Sequence, residues 1–382
     1  MLMGFYGQSG HRAGTRGRCR PRVPEGGEAG SVEQAGRGEV GVRDGRDGES
    51  PRLDPRGRPR AMTPPEQGGR AGAPPVALPP GVGFIGLGAM GAAMAMRLVE
   101  AGVVLHVLDS EPRATAPFAE RGAVLHATPA SVADAADIVF ACLPDAAAST
   151  AVALGPDGVV HGRKARVHVE LSTLGRAALE GIAAGLGQGG TGGGIALVDA
   201  PVSGGPKAAR AGTLTVMLAG SPGSLAAEPY LAIVGKNLFT VGDRPGLAQT
   251  MKLVNNLISA ANMACAFEAL VYGAKAGLDP ELMVRVVNAS TGRNSATQDK
   301  IPSAVLPGSF DYGARLAIVC KDVALGLAEA EAAGVPMWAL GAVGQLWRFA
   351  LMQGGGDEDL TGPIRVIERW AGAEVCAGSP AP

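Results

Sequence analysis

The chain has 382 residues, a length that accommodates about two domains with substantial cores. Its formal net charge of -1 argues against a folded protein that binds nucleic acid or a membrane surface, and charges, Gly or Pro interrupt every apolar run before it reaches the roughly 18 residues of a membrane helix. Five scattered cysteines without a CxxC spacing indicate a reducing, cytoplasmic setting and no metal site.

Residues 1–80 are rich in Gly, Arg, Pro and Glu, and they bury too little apolar surface to offset the entropy of ordering. We therefore expect this segment to be disordered. Residues 56–60 (RGRPR) resemble an AT-hook, which would make the chain a chromatin-associated protein. This composition produces such a motif by chance, however, and a chain that starts at Met62 is a plainer explanation.

A glycine-rich turn follows the first apolar strand, at residues 81–86, and a helical pattern follows the turn. Gly86 permits the tight bend, Gly88 lets the backbone approach a pyrophosphate, and Gly91 lets helix and strand pack closely. The pattern predicts a dinucleotide site whose cofactor-binding residues are Gly86, Leu87, Gly88, Ala89, Met90 and Gly91.

Asp109 ends the second predicted strand, at 103–108, and lies 18 residues after Gly91. A carboxylate at this place accepts hydrogen bonds from the adenosine ribose and repels a 2′-phosphate, so the sequence favours NAD over NADP. Arg113 lies nearby and keeps NADP as an alternative.

Strands and helices continue to alternate, and this pattern predicts an α/β Rossmann-type doubly wound parallel sheet over residues 81–245. Ligands of such sheets lie beyond the carboxyl ends of the strands. The loops expected there contain Leu143 and Pro144, Thr173, and the turn Ser203, Gly204 and Gly205. The 203–205 turn offers backbone N–H groups and a hydroxyl to a carboxylate, although a plain Gly-rich turn is the alternative.

Residues 246–275 predict one long helix that joins this domain to an all-α domain over residues 246–375. Lys252 is the single charge before Phe267, and Gln249, Asn255 and Asn256 share its side of the helix. A lone lysine among amides indicates a buried polar groove, and a narrow solvated face is the alternative.

Four motifs, taken in order, resemble the 3-hydroxyisobutyrate dehydrogenase (β-hydroxyacid dehydrogenase) family over about residues 81–371. They are GFIGLGAMGAAMA from Gly83, DAPVSGG from Asp199 with GTLTVM from Gly212, GLAQTMKLVNN from Gly246, and Lys321-Asp322 in CKDVAL. The resemblance implies a Rossmann domain followed by an all-helical domain, and association as a homodimer or homotetramer.

The same resemblance implies a role for single residues. Lys252 would be the catalytic lysine, and Asn256 and the 203–205 turn would bind the substrate. The residues that would touch the cofactor are Leu143, Pro144, Thr173 and Lys321. One departure from the family pattern is Glu170, which stands where an Asp is more usual.

We therefore predict reversible hydride transfer between NAD and a small 3-hydroxy acid or its semialdehyde, with Lys252 as general acid and base. This role requires burial to lower the lysine pKa from about 10.4 towards 7–8. An NADP-dependent reductase of semialdehydes, glyoxylate or imines is the alternative, and Lys252, Asn256 and Asp109 argue against imine reduction. We expect a small carboxylate substrate and no nucleic-acid or membrane partner.

Overall fold

The computed structural model describes residues 81–189, 194–220 and 224–376. The segment 1–80, with its predicted disorder and its AT-hook-like motif, lies outside the described residues. The strands are β1 (Val82–Ile85), β2 (Leu105–Leu108), β3 (Val124–Leu125), β4 (Ile138–Ala141), β5 (Val167–Glu170), β6 (Ala196–Asp199), β7 (Val202–Ser203), β8 (Leu214–Gly220) and β9 (Gly235–Gly242).

Helices surround this sheet and then continue alone to the end of the described chain. The α-helices are α1 (Ala89–Glu100), α2 (Pro112–Ala119), α3 (Pro129–Ala135), α4 (Ala146–Leu154), α5 (Arg176–Gln188), α6 (Gly205–Ala211), α7 (Ser224–Val234), α8 (Leu247–Lys275), α9 (Pro280–Ala289), α10 (Leu316–Ala332), α11 (Trp338–Gly354) and α12 (Ile364–Ala371). A short 3-10 helix covers Val159–His161, and a π-helix covers Ala296–Val305.

The first six strands form a parallel sheet in the order β3-β2-β1-β4-β5-β6, which is the order of a Rossmann dinucleotide-binding fold. Ile85 is in register with Leu108 and Ala141, and Glu170 is in register with Asp199. The carboxyl ends of these strands therefore lie along one edge of the sheet. The order reverses between β1 and β4, and a ligand crevice is expected at that point.

Beyond β6 the sheet is mixed, whereas the sequence predicted parallel strands throughout. Strand β8 runs antiparallel to β6 and β7, and β9 runs parallel to β8. Strands β7 and β9 were not predicted from the sequence. The reason is that β7 has two residues and β9 is a largely exposed edge, so neither shows an alternating apolar pattern.

Apolar cores cover both faces of the sheet and fill the helical part. One face packs aromatic side chains such as Phe84, Phe140 and Tyr230, and the other packs α5 through Leu179 and its neighbours. The helical core is built on α8 around the fully buried Phe267. Close packing on both sides of the sheet leaves the strand ends as the place where loops and helices can form a site.

Helix α8 has 29 residues and therefore spans about 44 Å. It contacts β6, β8 and β9 at the sheet, and α10, α11 and α12 in the helical part. By length and composition this helix could cross a membrane, contrary to the expectation from the sequence. However, 56% of its most apolar window is buried inside the protein, and the core helix of a folded domain passes the same test.

Candidate active site

The turn between β1 and α1 has the backbone geometry that a phosphate-binding turn needs. Gly86 has φ 90°, and a Cβ atom there would lie 2.3 Å from the carbonyl oxygen of Cys142. A Cβ atom on Gly91 would lie 2.0 Å from the oxygen of Gly86, so only glycine allows this approach of helix and strand. A Cβ atom on Gly88 would meet nothing within 4 Å. The turn is thus tightly packed at Gly86 and Gly91 and open at Gly88.

The open side of this turn fits a nicotinamide dinucleotide. Gly88 is the N-cap of α1 and supplies no side-chain hydrogen bond to the first helical turn. The first-turn amides of Ala89 and Met90 are therefore positioned for an anion outside the protein, and the helix dipole favours negative charge at the same place.

Asp109 lies directly beside the turn. Its Oδ2 atom accepts a hydrogen bond of 2.6 Å from the backbone N–H of Leu87, and its Oδ1 atom accepts one of 2.8 Å from the backbone N–H of Glu111. These two bonds hold the carboxylate at the end of β2, next to the glycine-rich turn. The structure thus brings the carboxylate of Asp109 beside the glycine-rich turn.

The loops after β4 and β5 are tied to one another. The backbone N–H of Leu143 donates to Ser172 Oγ over 2.7 Å, and the backbone N–H of Ser172 donates to Glu170 Oε1 over 3.0 Å. Glu170 is fully buried, and its other oxygen lies 3.7 Å from Nε2 of the equally buried His168. Glu170 was predicted only as a departure from the family pattern, and His168 was not predicted, because a histidine inside an apolar strand gives no distinct signal.

Lys252 lies on the inner side of α8 and is only 8% exposed. The pKa of its ammonium is lowered to about 8, chiefly by burial; the carboxylate of Asp322 opposes this shift, and the charge of Lys321 adds a smaller lowering. An amine with such a pKa can exchange a proton near neutral pH. The alternative of a solvated helix face therefore does not hold for Lys252.

Asn256, one helical turn after Lys252, connects α8 with α10. Its Nδ2 atom donates to Asp322 Oδ2 over 2.6 Å, and the other oxygen of Asp322 lies 3.2 Å from the ammonium of Lys321. Lys321 also donates to the backbone oxygen of Thr173 over 2.6 Å. The predicted positions 173, 256 and 321 are thereby linked in one polar cluster, whose charges act on Lys252. Asp322 was part of a family motif but was not predicted as a site residue.

The predicted carboxylate-binding turn lies where β7 meets α6. Ser203 is the second residue of β7 and pairs with Thr215. Gly204 has φ 136° and Gly205 has φ 70°, so both take conformations that other residues rarely adopt. A Cβ atom on Gly205 would meet nothing within 4 Å, and this side of the turn is open.

Two buried residues, Asp199 and Gln249, were not predicted as site residues. Asp199 ends β6, four positions before Ser203, and its carboxylate accepts three backbone N–H bonds from the start of α8. Gln249 lies one helical turn before Lys252 and bonds to the loop after β5. The helical spacing correctly predicted that Gln249 shares the side of Lys252. Its partner Asp199 lies 50 residues away along the chain, and spacing alone does not reveal such a contact.

The fold and this arrangement define a class: a dehydrogenase that binds a nicotinamide dinucleotide at a Rossmann domain and continues into a helical domain. Two family models match nearly the whole described chain. Residues 81–242 match the NAD-binding domain of 6-phosphogluconate dehydrogenase, and residues 246–367 match the NAD-binding domain of NADP-dependent 3-hydroxyisobutyrate dehydrogenase.

Known proteins agree with this class. The chain is 36% identical to 2-(hydroxymethyl)glutarate dehydrogenase of Eubacterium barkeri over 299 residues, which cover 78% of this chain and 98% of that protein. It is 34% identical to 3-hydroxyisobutyrate dehydrogenase of Pseudomonas aeruginosa, over 68% of this chain and 89% of that protein. The crystal structure of 3-hydroxyisobutyrate dehydrogenase from Salmonella typhimurium superposes with a TM-score of 0.67 at 28% identity, over 75% of this chain and 100% of that one.

The chain belongs to the 3-hydroxyisobutyrate dehydrogenase (β-hydroxyacid dehydrogenase) family. It is an NAD(P)-dependent β-hydroxyacid dehydrogenase with a Rossmann domain followed by a helical domain. The predicted family, fold class, enzyme class and nicotinamide cofactor are confirmed. The choice between NAD and NADP and the role of each site residue stay predictions.

Proposed function

We propose that the protein transfers hydride reversibly between NAD and the carbinol carbon of a small 3-hydroxy acid resembling 3-hydroxyisobutyrate, with Lys252 as general acid and base. One observation carries this proposal: the charges of a polar cluster that joins the helical domain to the loop after β5 act on a buried lysine with a lowered pKa. The members of that cluster are Asn256, Asp322, Lys321 and Thr173.

The chemistry is divided between cofactor and protein. When bound, the nicotinamide cofactor would supply the hydride-transfer chemistry. In the oxidation direction, the neutral amine of Lys252 takes the hydroxyl proton of the substrate. In the reduction direction, its ammonium returns that proton to the oxygen of the carbonyl. Asp322 and Lys321 act on this ammonium with opposite signs, and burial sets its overall tendency to lose the proton.

Positioning of the substrate falls to the turn and to the helix. The open backbone of Ser203, Gly204 and Gly205 would bind the carboxylate, and the amide of Asn256 would bind the hydroxyl group. The turn follows β6, and the carboxylate of Asp199 at the end of β6 contacts the start of α8. The proposed anion site and the proposed acid–base residue are thus attached to the same strand end.

Asp109 supports NAD as the preferred cofactor. The backbone N–H groups of Leu87 and Glu111 hold its carboxylate at the end of β2, beside the turn at which the adenosine ribose of the cofactor would bind. A ribose hydroxyl donates a hydrogen bond to such a group, whereas a 2′-phosphate is repelled by it. We propose as well that Leu143 and Pro144, in the loop after β4, contact the bound cofactor.

We also propose that the enzyme works in the cytoplasm as a homodimer or homotetramer. Bacterial homologues with related activities support the compartment. The outer side of α8 supports association, because Met251, Val254 and Ile258 are 39%, 44% and 54% exposed and follow one another at helical spacing.

The decisive experiment is a panel of small 3-hydroxy acids and semialdehydes assayed with NAD and NADP through the absorbance of the reduced nicotinamide. On the best substrate, Lys252→Met is expected to lower kcat by roughly 10³-fold, because the acid–base group is removed without emptying its site. Binding of the reduced cofactor, measured by fluorescence, should stay unchanged.

Lys236→Met is the matched control, because Lys236 is exposed on the edge strand β9. It should keep the wild-type rate. Turnover by Lys252→Met at the wild-type rate would remove Lys252 from the mechanism.

A further inference from the structure

Asp199, at the end of strand β6, caps the N-terminus of helix α8, which begins 48 residues later in the chain. The N-cap residue of α8 is Gly246, which has no side chain to offer. Instead, Oδ2 of Asp199 accepts hydrogen bonds from the backbone N–H groups of Gly246, Ala248 and Gln249 over 2.8, 3.0 and 3.2 Å. A negative charge at this position also interacts favourably with the helix dipole. The direction of α8 is therefore set by the end of β6.

Gln249 uses its complete hydrogen-bonding capacity in the same place. Its Oε1 atom accepts from the backbone N–H groups of Leu174 and Gly175 over 2.8 and 3.2 Å. Its Nε2 atom donates to the oxygen of Ser172 over 3.1 Å and to Oδ1 of Asp199 over 2.9 Å. Two acceptor and two donor contacts allow only one orientation of the amide, and the ionised Asp199 enforces it.

These contacts surround the loop after β5 from the helical side. Gln249 binds the residues on both sides of Thr173, and Lys321 binds the carbonyl oxygen of Thr173 itself. Lys252 follows Gln249 by three residues, so both side chains project from the same side of α8. A shift of the loop relative to α8 would break several of these bonds at once.

We propose that Asp199 and Gln249 are positioning residues that hold the amine of Lys252 in register with the loop at Thr173. The inference rests on the proposed function, in which Lys252 exchanges the substrate proton and Thr173 lies against the cofactor. It adds that the distance between these two groups is maintained by one buried carboxylate–amide pair.

Capping of α8 accounts for the carboxylate of Asp199, but stability alone gives no reason to pair it with a buried amide. Both side chains are 0% exposed, and burial raises the pKa of Asp199 to about 6 against the effect of its four hydrogen bonds. A buried polar network is often no more stable than a well-packed apolar contact of the same size. What the network adds is one defined geometry, and proton transfer depends on geometry.

The first test is Gln249→Met, which keeps the length of the side chain and removes its polar atoms. We expect kcat to fall on the order of 10²-fold, as for a misplacement of about 1 Å at a reacting group. The KM for the hydroxy acid should stay within about threefold, because the 203–205 turn is not altered.

The pH dependence of kcat distinguishes a positioning role of Gln249 from a purely structural one. The proposed function predicts that the pH dependence of kcat in the wild type follows Lys252, whose neighbouring charges are Asp322 and Lys321 on α10. Neither is changed by the substitution. A loosened α8 exposes Lys252 to water, so the kinetic pKa should move towards the ordinary lysine value.

The control is Gln345→Met, the same chemical change at an exposed position of α11. Its kcat and pH profile should match those of the wild type. If Gln249→Met also keeps both, the proposal is overturned. Lys252→Met, assayed in parallel, shows whether the fault lies with the proposed function, because an active Lys252→Met would contradict the acid–base role itself.

An exchange of the pair decides the matter if Gln249→Met does not fold. Asp199→Asn alone places two amide groups face to face, and Gln249→Glu alone places two carboxylates face to face. In the double variant, the amide introduced at position 199 donates to the carboxylate introduced at position 249, whose other oxygen still accepts from Leu174 and Gly175. The carbonyl oxygen of Ser172 loses its donor in both variants that carry the glutamate. We therefore expect the loss of kcat in the double variant to be roughly tenfold smaller than the product of the two single losses, since contacting residues are coupled. A double variant whose loss equals the product of the single losses would overturn the proposal.

Discussion

At the scale of the residue, Lys252 shows how a common side chain acquires unusual chemistry. Its neighbours along α8 are mostly apolar, whereas the two charges that act on it, Lys321 and Asp322, come from α10. Burial disfavours the ammonium form, and the opposing charges of the α10 pair partly cancel. The resulting pKa of about 8 suits a group that must both take and give a proton.

This pKa predicts opposite pH dependences for the two directions of the reaction. Oxidation needs the neutral amine, so its kcat/KM should rise with pH and level off above about 8. Reduction needs the ammonium, so its kcat/KM should fall above the same pH. Initial rates in both directions between about pH 6 and 10, in buffers of constant ionic strength, test the signs. Profiles that rise in both directions would contradict the assignment of Lys252.

Asp109 makes a separate prediction about the cofactor. In Asp109→Ala the carboxylate is removed from the end of β2, and the ratio of kcat/KM with NAD to kcat/KM with NADP should fall by at least about tenfold. Glu120→Ala is a suitable control, because Glu120 is an exposed carboxylate at the other end of α2. An unaltered ratio in Asp109→Ala would count against its role at the ribose.

At the scale of the element, two glycines of the turn between β1 and α1 have different tasks. A Cβ atom at Gly91 would collide with the oxygen of Gly86, whereas a Cβ atom at Gly88 would enter open space. Gly91 thus serves the packing of strand and helix, and Gly88 leaves room for a ligand.

The two substitutions should therefore separate stability from binding. Gly91→Ala is expected to lower the melting temperature by several degrees, because backbone atoms must move apart. Gly88→Ala should melt near the wild-type temperature and yet bind the reduced nicotinamide cofactor at least about tenfold more weakly. Calorimetry and fluorescence titration of both variants give the answer. Equal effects of the two substitutions on both measurements would refute this division.

Helix α8 is the element that connects the two halves of the site. Its first turn is held by Asp199 from the sheet, and its second half packs into the helical core through Phe267. A second helix is capped by a contact between the sheet part and the helical part. Glu329 of α10 accepts a hydrogen bond from the backbone N–H of Arg176 at the start of α5. These reciprocal contacts hold the loop after β5 between sheet and helices.

At the scale of the whole molecule, the outward side of α8 predicts association of copies. Its exposed apolar residues Met251, Val254 and Ile258 form a stripe on a helix whose other side is buried. Sedimentation velocity at micromolar concentration should give two or four times the mass of one chain. Val254→Lys should shift the distribution towards the monomer, whereas Lys236→Met should not. A monomeric wild type under these conditions would contradict the proposed assembly.

The sequence by itself determined those features that depend on local signals. The glycine-rich turn, the alternation of strands and helices through β6, and the long helix with Lys252 were all predicted, because positive φ angles and apolar periodicity leave a direct trace in the residue order. The four spaced motifs added the family. The structure also has Asp109 beside the glycine-rich turn, as the sequence predicted.

Only the tertiary structure decided which polar groups meet. Asp199 and Gln249 are 50 residues apart, and Asn256 and Asp322 are 66 residues apart. The pairing of β8 with β6 and β7 likewise depends on contacts that no local pattern encodes. Such pairings are chosen by the packing of the whole chain, because a buried polar atom accepts whichever partner the fold brings within hydrogen-bond distance.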